Sequence, residues 1–286
     1  MRSFLRGLSI VVLTSTMIGC TKFDLLHATV PNWGFSRQTD VVYGSTPRQK
    51  LDVYRPANDR DQAGIVIFFY GGNWQSGNKS DYRFVAQALA SRGFIAVIPD
   101  YRLYPEVKFP AFVQDGALAV RWVHDHASEI GGDEHRIFLM GHSAGAHIAA
   151  LLTLDGRYLK DVGMDRSDIR ATAALSGPYD FVPNAYDLPV FAMSSPDDPL
   201  DPNTQPIHFV DGRASPMLLV HGGRDKTVDV ENAERLFSRI EAMGGRAKYV
   251  LYPSRGHVDV VLSLAWSFRW LAPTLRDCTH FFDVQE

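Results

Sequence analysis

Phe138-Leu139-Met140-Gly141-His142-Ser143-Ala144-Gly145-Ala146 joins an apolar run to a stretch of small, helix-forming residues through a serine set between glycines. Arg136 to Met140 reads as a buried strand and Ala144 to Leu154 as the helix that follows it. A strand that turns sharply into a helix at Gly-x-Ser-x-Gly presents the serine at the tip of the turn. The turn also aims the first helical N–H, that of Ala144, at negative charge forming beside the serine. A serine hydroxyl is a poor nucleophile at neutral pH and needs a base, an exposed position and donors for the oxyanion. The turn supplies the last two, which makes Ser143 the candidate nucleophile and Ala144 a candidate oxyanion donor.

Outward from this turn the chain alternates. Apolar strands at Ile65 to Phe69, Phe94 to Ile98, Ala171 to Leu175, Pro216 to Val220 and Ala247 to Leu251 are separated by helical periodicity. The helical positions are Tyr82, Val85, Ala86 and Leu89, then Phe112 to Ala127, then Val230, Ala233, Phe237 and Ile240, and last Val261, Leu264, Phe268 and Leu271. Such a series implies an α/β fold with a mostly parallel central sheet and helices on both faces. Ahead of it, Asp40 to Tyr43 and Lys50 to Tyr54 flank Gly44-Ser45-Thr46-Pro47, the pattern of an N-terminal antiparallel hairpin. With 286 residues, 45% of them hydrophobic, the chain is expected to form one large domain over 38–286. A Pro/Asp-rich insertion at about 178–212 holds seven of the sixteen prolines, which excludes long regular elements there. Its aspartates, if they overhang the site, would disfavour anionic substrates.

The first residues have another character. Arg2 and Arg6 precede an apolar run from Leu8 to Ile18, too short to span a bilayer, that ends in Gly19-Cys20. This resembles a bacterial lipoprotein signal, which implies a signal peptide at 1–19, lipidation of Cys20 and a tether over 20–37. The expected location is the cell envelope, facing the periplasm or on the outer membrane, with a membrane lipid anchor; an ordinary secretory signal cut nearby is the alternative. Cys278 has no partner at metal-binding spacing and reads as an inert thiol. A net charge of −3 gives no electrostatic footprint for nucleic acid.

Ser143 needs a histidine, a carboxylate and a second oxyanion donor, all from the carboxyl ends of parallel strands. Asp225 lies just beyond the strand ending at Val220, with Asp229 the runner-up, and His257 lies just beyond the strand ending at Leu251. One helix and one strand fit between Asp225 and His257, so their loops are expected to be neighbours, and the order serine, acid, histidine is that of a hydrolase sheet. His142, His147, His208 and His221 are read as structural. After the strand at Ile65, Tyr70-Gly71-Gly72-Asn73-Trp74 offers Gly71 and Gly72 as backbone donors, with Trp74 either walling a substrate pocket or packing the loop.

Together, Tyr70-Gly71-Gly72-Asn73-Trp74, Pro99-Asp100-Tyr101-Arg102-Leu103 with Glu106, and Gly141-His142-Ser143-Ala144-Gly145 resemble the α/β-hydrolase fold. The branch is that of small carboxylesterases, feruloyl-type esterases and kynurenine formamidase-like enzymes. The resemblance implies Ser143 as nucleophile, His257 as base, Asp225 as orienting acid, and Gly71, Gly72 and Ala144 as oxyanion donors. Tyr70 departs from the motif, where a histidine braces the loop. The expectation is a serine hydrolase of carboxylic esters with modest acyl groups, needing neither metal nor organic cofactor. An amidase or formamidase using the same groups, and an envelope protein that binds without turnover, are the alternatives.

Overall fold

The computed structural model describes residues 26, 29–57, 62–181, 189–191 and 201–285. The expected signal peptide, Cys20 and much of the Pro/Asp-rich insertion lie outside the described residues.

Eight strands form one sheet: β1 (Phe35–Val42), β2 (Lys50–Pro56), β3 (Ala63–Phe69), β4 (Ile95–Pro99), β5 (Gly132–His142), β6 (Ile169–Leu175), β7 (Met217–Gly222) and β8 (Ala247–Tyr252). Their spatial order is β1-β2-β4-β3-β5-β6-β7-β8. β1 pairs antiparallel with β2, and β2 antiparallel with β4. The remaining pairings are parallel. Every residue of β3 and of β4 is buried. That is why these strands read as unbroken apolar runs without alternation, since helices cover both faces.

The helices are α1 (Arg83–Ala90), α2 (Ala111–Asp125), α3 (Ala144–Leu154), α4 (Gly156–Asp161), α5 (Glu231–Ala242), α6 (His257–Leu262) and α7 (Thr274–Asp283). All eleven residues of α3 are buried, so it lacks the polar stripe of a surface helix. Its first turn runs so close to the end of β3 that a Cβ on Gly145 would collide with the carbonyl oxygens of Phe69 and Tyr70. Only glycine lets the helix start there. Because β3, β5, β7 and β8 are parallel, their carboxyl ends share one edge, and the loops carrying Gly71, Ser143, Asp225 and His257 all open from it.

Three elements differ from the sequence expectation. β1 begins at Phe35, inside the segment read as tether, and Val30 ahead of it is only 4% exposed. This is an edge strand whose Ser36 to Thr39 face solvent, so no alternation marks it; Phe35 anchors it against the Tyr54 ring at 5.7 Å. The helix expected through Val261 to Leu271 stops at Leu262 and gives way to a single 3-10 turn at Trp266–Phe268. The chain becomes helical again only after Pro273, in α7, whose buried face includes Leu275, Cys278 and Phe282.

Beneath the hairpin the Lys79 ammonium lies 2.7 Å from Asp52 and 2.8 Å from Asp40; the Lys79 and Asp52 side chains are only 8% and 3% exposed. Removing one member of a buried pair strands the other charge, at about 3–5 kcal/mol. Lys79→Met is therefore expected to lower the urea-unfolding free energy by about 3 kcal/mol. Adding Asp52→Asn to the same chain should restore much of that loss, because the stranded charge is gone.

Candidate active site

Ser143 stands between β5 and α3 with φ 55° and ψ −122°, in the left-handed region that a non-glycine residue avoids. Such a conformation costs of order 1–3 kcal/mol and persists only where its surroundings impose it. Here the Ser143 N–H donates to Leu175 O at 2.9 Å, and its carbonyl accepts from the N–H groups of Ala146 and His147 at 2.9 and 3.1 Å. The serine thus belongs to both the sheet and the helix. The Ala144 N–H is the first of the helix's unpaired donors, at the positive end of its dipole.

His257 opens α6, and its Nδ1–H donates to Asp225 Oδ2 at 2.7 Å. With Nδ1 committed to a carboxylate, the lone pair of the neutral ring sits on Nε2, as a general base requires. The Asp225 side chain is fully buried, which by itself would raise its carboxyl. Hydrogen bonds from His221 and His257, and from the Val228 and Thr227 N–H groups at 3.0 and 2.8 Å, outweigh that and hold it well below the usual carboxylate range. Asp225 therefore stays ionised at neutral pH. Asp229 is in another role, its carbonyl accepting from the Asn232 N–H at the start of α5.

Two further histidines are built into this arrangement. His221, with no exposed surface, directs Nε2–H to Val228 O at 3.0 Å, with Asp225 Oδ2 at 3.3 Å. His142 directs Nε2–H to the carbonyl of His257 at 3.0 Å, so the residue before the nucleophile holds the backbone of the base 115 positions away. Burial, then the neighbouring His257, lowers His142 to about 3; burial lowers His147 to about 4 against the help of its 2.8 Å bond to Thr204 O. Both rings are neutral at physiological pH.

The loop after β3 is held by Tyr70 in the place of the motif histidine. Its buried hydroxyl donates to Asp100 Oδ1 at 2.6 Å and accepts from Arg48 Nη2 at 2.9 Å, while Asp100 also accepts from the Lys79 N–H at 2.7 Å. The Tyr101 hydroxyl holds the Tyr70 carbonyl at 2.7 Å, and the Tyr70 ring stacks between Tyr82 and Tyr101. Tyr82 completes the brace through its ring, 5.3 Å from that of Tyr70.

Gly71 leaves room at the nucleophile, since a Cβ there would meet Ser143 Cβ at 3.0 Å and His142 Nδ1 at 3.2 Å. Gly72 follows at φ 132° and lines the cavity. Asn73, at φ 53°, lines the cavity beside it and was missed, although asparagine after Gly-Gly marks a residue able to enter the left-handed region. Trp74 is 3% exposed and absent from the cavity wall. It packs behind the loop against Phe112, His147, Phe181 and Phe191, the second of the two roles open to it. Gly71, Gly72, Ser143 and His257 line one open cavity of about 540 Å³, whose rim includes Thr227 and Val258. No acid of the insertion lines it among the described residues. Asp180 pairs with Arg235 and Asp211 with Arg166, while Asp201 accepts from the Asn203 N–H at the start of a 3-10 turn.

Sheet order, nucleophile turn and the acid and histidine loops define an α/β-hydrolase. The chain belongs to the BD-FAE family, whose model matches residues 51–240. It is 31% identical over 249 residues to the isoprenylcysteine alpha-carbonyl methylesterase ICME of Arabidopsis thaliana, covering 80% of this chain and 58% of that protein. The chain thus spans about half to three-fifths of the length of such relatives. Among solved structures, a truncated carbohydrate esterase from gut microbiota superposes with a TM-score of 0.78 at 23% identity, over 90% of this chain and 99% of that one. A thermophilic esterase of Thermogutta terrifontis with propionate bound superposes at 0.70 with 25% identity, over 87% and 93%.

Two outcomes follow from the geometry. Tyr70→Phe removes the hydroxyl between Asp100 and Arg48 without emptying the ring's place; it is expected to lower kcat about tenfold with little change in KM, in steady-state ester hydrolysis. The buried histidines set an acid limb to stability. Their folded values lie below the unfolded value of about 6.5, so the unfolded chain binds the extra protons, and stability is complete above about pH 6.5 and falls as pH drops toward 4 and 3. Urea melts at pH 7.5 and 5.0 should differ by about 2 kcal/mol for each histidine, and His147→Asn should remove roughly half of the combined slope.

Proposed function

We propose that the protein is a serine hydrolase of carboxylic esters. The observation that carries this reading is the 2.7 Å bond from His257 Nδ1–H to a buried, ionised Asp225, with His257 lining the same cavity as a strained, helix-capping Ser143. In this reading Ser143 Oγ attacks the ester carbonyl while His257 Nε2 takes its proton. The carbonyl oxygen, now negative, lies against the N–H groups of Ala144 and Gly72. The imidazolium, stabilised by Asp225, protonates the departing alkoxide, leaving an acyl ester on Ser143. Water then loses a proton to His257 and attacks that ester, releasing the acid and restoring Ser143.

The names of the relatives support an ester over an amide, since those proteins are called methylesterase, carbohydrate esterase and esterase. A modest acyl group is in keeping with propionate, the ligand named with the Thermogutta esterase. The test is hydrolysis of p-nitrophenyl acetate, butyrate and octanoate beside N-formylkynurenine. Acetate and butyrate are expected to turn over faster than octanoate, and Ser143→Ala to lower kcat by at least about a thousandfold. Preference for N-formylkynurenine would move the assignment to the formamidase reading. A rate unchanged in Ser143→Ala would remove the serine from the mechanism.

A further inference from the structure

Outside the cleft, one face of the molecule concentrates exposed aromatic surface. Trp33, Trp266 and Trp270 are 74%, 56% and 73% exposed, while the other large aromatic side chains among the described residues are largely inside. Contacts through Ser91 and Arg269 connect Trp33 with Trp266, and Trp270 follows Arg269 in the chain. Trp33 and the turn Ser91-Arg92-Gly93 wall a groove of about 610 Å³. Ser91 Oγ accepts from Arg269 Nη2 at 3.3 Å, and the Arg269 guanidinium lies 5.2 Å over the Trp266 ring. Among the described residues that line the groove there is no carboxylate. Arg92 is close enough to Arg269 that, after burial, its repulsion lowers the Arg269 value. Arg92 and Arg269, with no carboxylate among the described residues lining the groove, offer a cationic patch that an external anion would complete.

Tryptophans with arginines on an otherwise polar surface are the side chains that settle at the boundary of a bilayer, where the indole body is partly buried and its polar edge and the guanidinium meet headgroups. The N-terminus points to the same occupant. The run from Leu8 to Ile18 followed by Gly19-Cys20 was read as a lipid-attachment signal, and Cys20 is thirteen residues before Trp33, a reach of at most about 45 Å. A lipid on Cys20 would therefore keep Trp33 within one protein diameter of the membrane.

We propose that the face formed by Trp33, Trp266, Trp270, Arg92 and Arg269 rests on an anionic lipid surface. The orientation this imposes follows from the sheet. Gly93 precedes β4, so the groove lies at the amino ends of the parallel strands, whereas Ser143, Asp225 and His257 follow the carboxyl ends of β5, β7 and β8. A strand of six or seven residues separates the two edges by about 20 Å. The cleft then opens away from the bilayer, and its ester comes from the aqueous side, not from lipid lying in the membrane. This last step rests on the ester reading; the seating itself does not.

The test uses the full chain, reconstituted into vesicles of phosphatidylglycerol and phosphatidylethanolamine or of phosphatidylcholine, each with lipids brominated close to the headgroup. Tryptophan emission is expected to be quenched by half or more in the phosphatidylglycerol vesicles and clearly less in phosphatidylcholine. The triple variant Trp33→Phe, Trp266→Phe, Trp270→Phe should lose that quenching while hydrolysing p-nitrophenyl acetate within twofold of the parent. Arg92→Glu should reduce quenching in the anionic vesicles alone. Equal quenching in parent and triple variant, none in the parent, or a dimer in detergent that the triple variant dissolves would overturn the proposal. For the orientation, vesicle-bound enzyme should hydrolyse the soluble ester as fast as enzyme in detergent, and a tenfold lower rate on vesicles would overturn it. Absence of hydrolysis in both states would strike the ester reading and leave the quenching result standing.

Discussion

The approach of the first turn of α3 to the end of β3, at Gly145 against the Phe69 and Tyr70 carbonyls, is the constraint from which the rest of the site descends. It brings the helix close enough for its first N–H groups to face the loop after β3. It also forces the residue between β5 and α3 into a positive φ, which lifts Ser143 out of the sheet. A helix set an ångström or two farther out would relieve the serine and separate Ala144 from Gly72. The strain at Ser143 is compensated by the bonds that tie its backbone to Leu175, Ala146 and His147 and by the burial of the whole of α3. Stability gathered along one element is thus spent at a single position, where a reactive side chain has to be presented.

The loop opposite has no such helix to fix it and is fixed by aromatic hydroxyls instead. A histidine in the place of Tyr70 would reach its partner over a short imidazole. Tyrosine reaches farther, and the structure fills the extra length with Asp100 and Arg48 at the hydroxyl and with the flanking rings of Tyr82 and Tyr101 along the body. Burial raises Asp100, while the Tyr70 hydroxyl and the Lys79 N–H work against that rise. The brace therefore depends on several groups being present together, which is how a substitution in the motif leaves the loop in place.

Most of the architecture was legible because it follows from periodicity. Strands buried on both faces are unmistakable runs, and a parallel sheet sets loop residues at strand ends, which is what singles out Asp225 and His257 among seven acids and histidines of similar local appearance. The failures share a different cause. β1 has five consecutive exposed residues and shows no pattern, because an edge strand with water on most sides is held by its neighbour's backbone and a single ring. Tyr82 reads as one more apolar position of a helix, yet its ring stacks on Tyr70 and helps hold the loop after β3. His142 looks like a spacer within the nucleophile motif, and nothing near it in the chain discloses a bond to the carbonyl of His257. Contacts made by side chains across 12 to 115 residues leave no local signature.

Those long contacts also explain how a site with three adjacent histidines keeps a single base. A carbonyl oxygen only accepts, so His142 and His221, each facing one through Nε2, are both fixed as Nε2–H donors. His257 is fixed the other way, through Nδ1–H to Asp225. Of the three rings, His257 alone has its Nε2 lone pair free, and it lines the cavity. Protonating His142 instead would place a cation in a buried site beside His257, which burial and repulsion both oppose. The remaining nitrogens, His142 Nδ1 and His221 Nδ1, are buried without a partner, a cost the fold accepts in return for the fixed tautomers. In the proposed mechanism, the two neutral rings beside His257 are thereby denied the proton it would take.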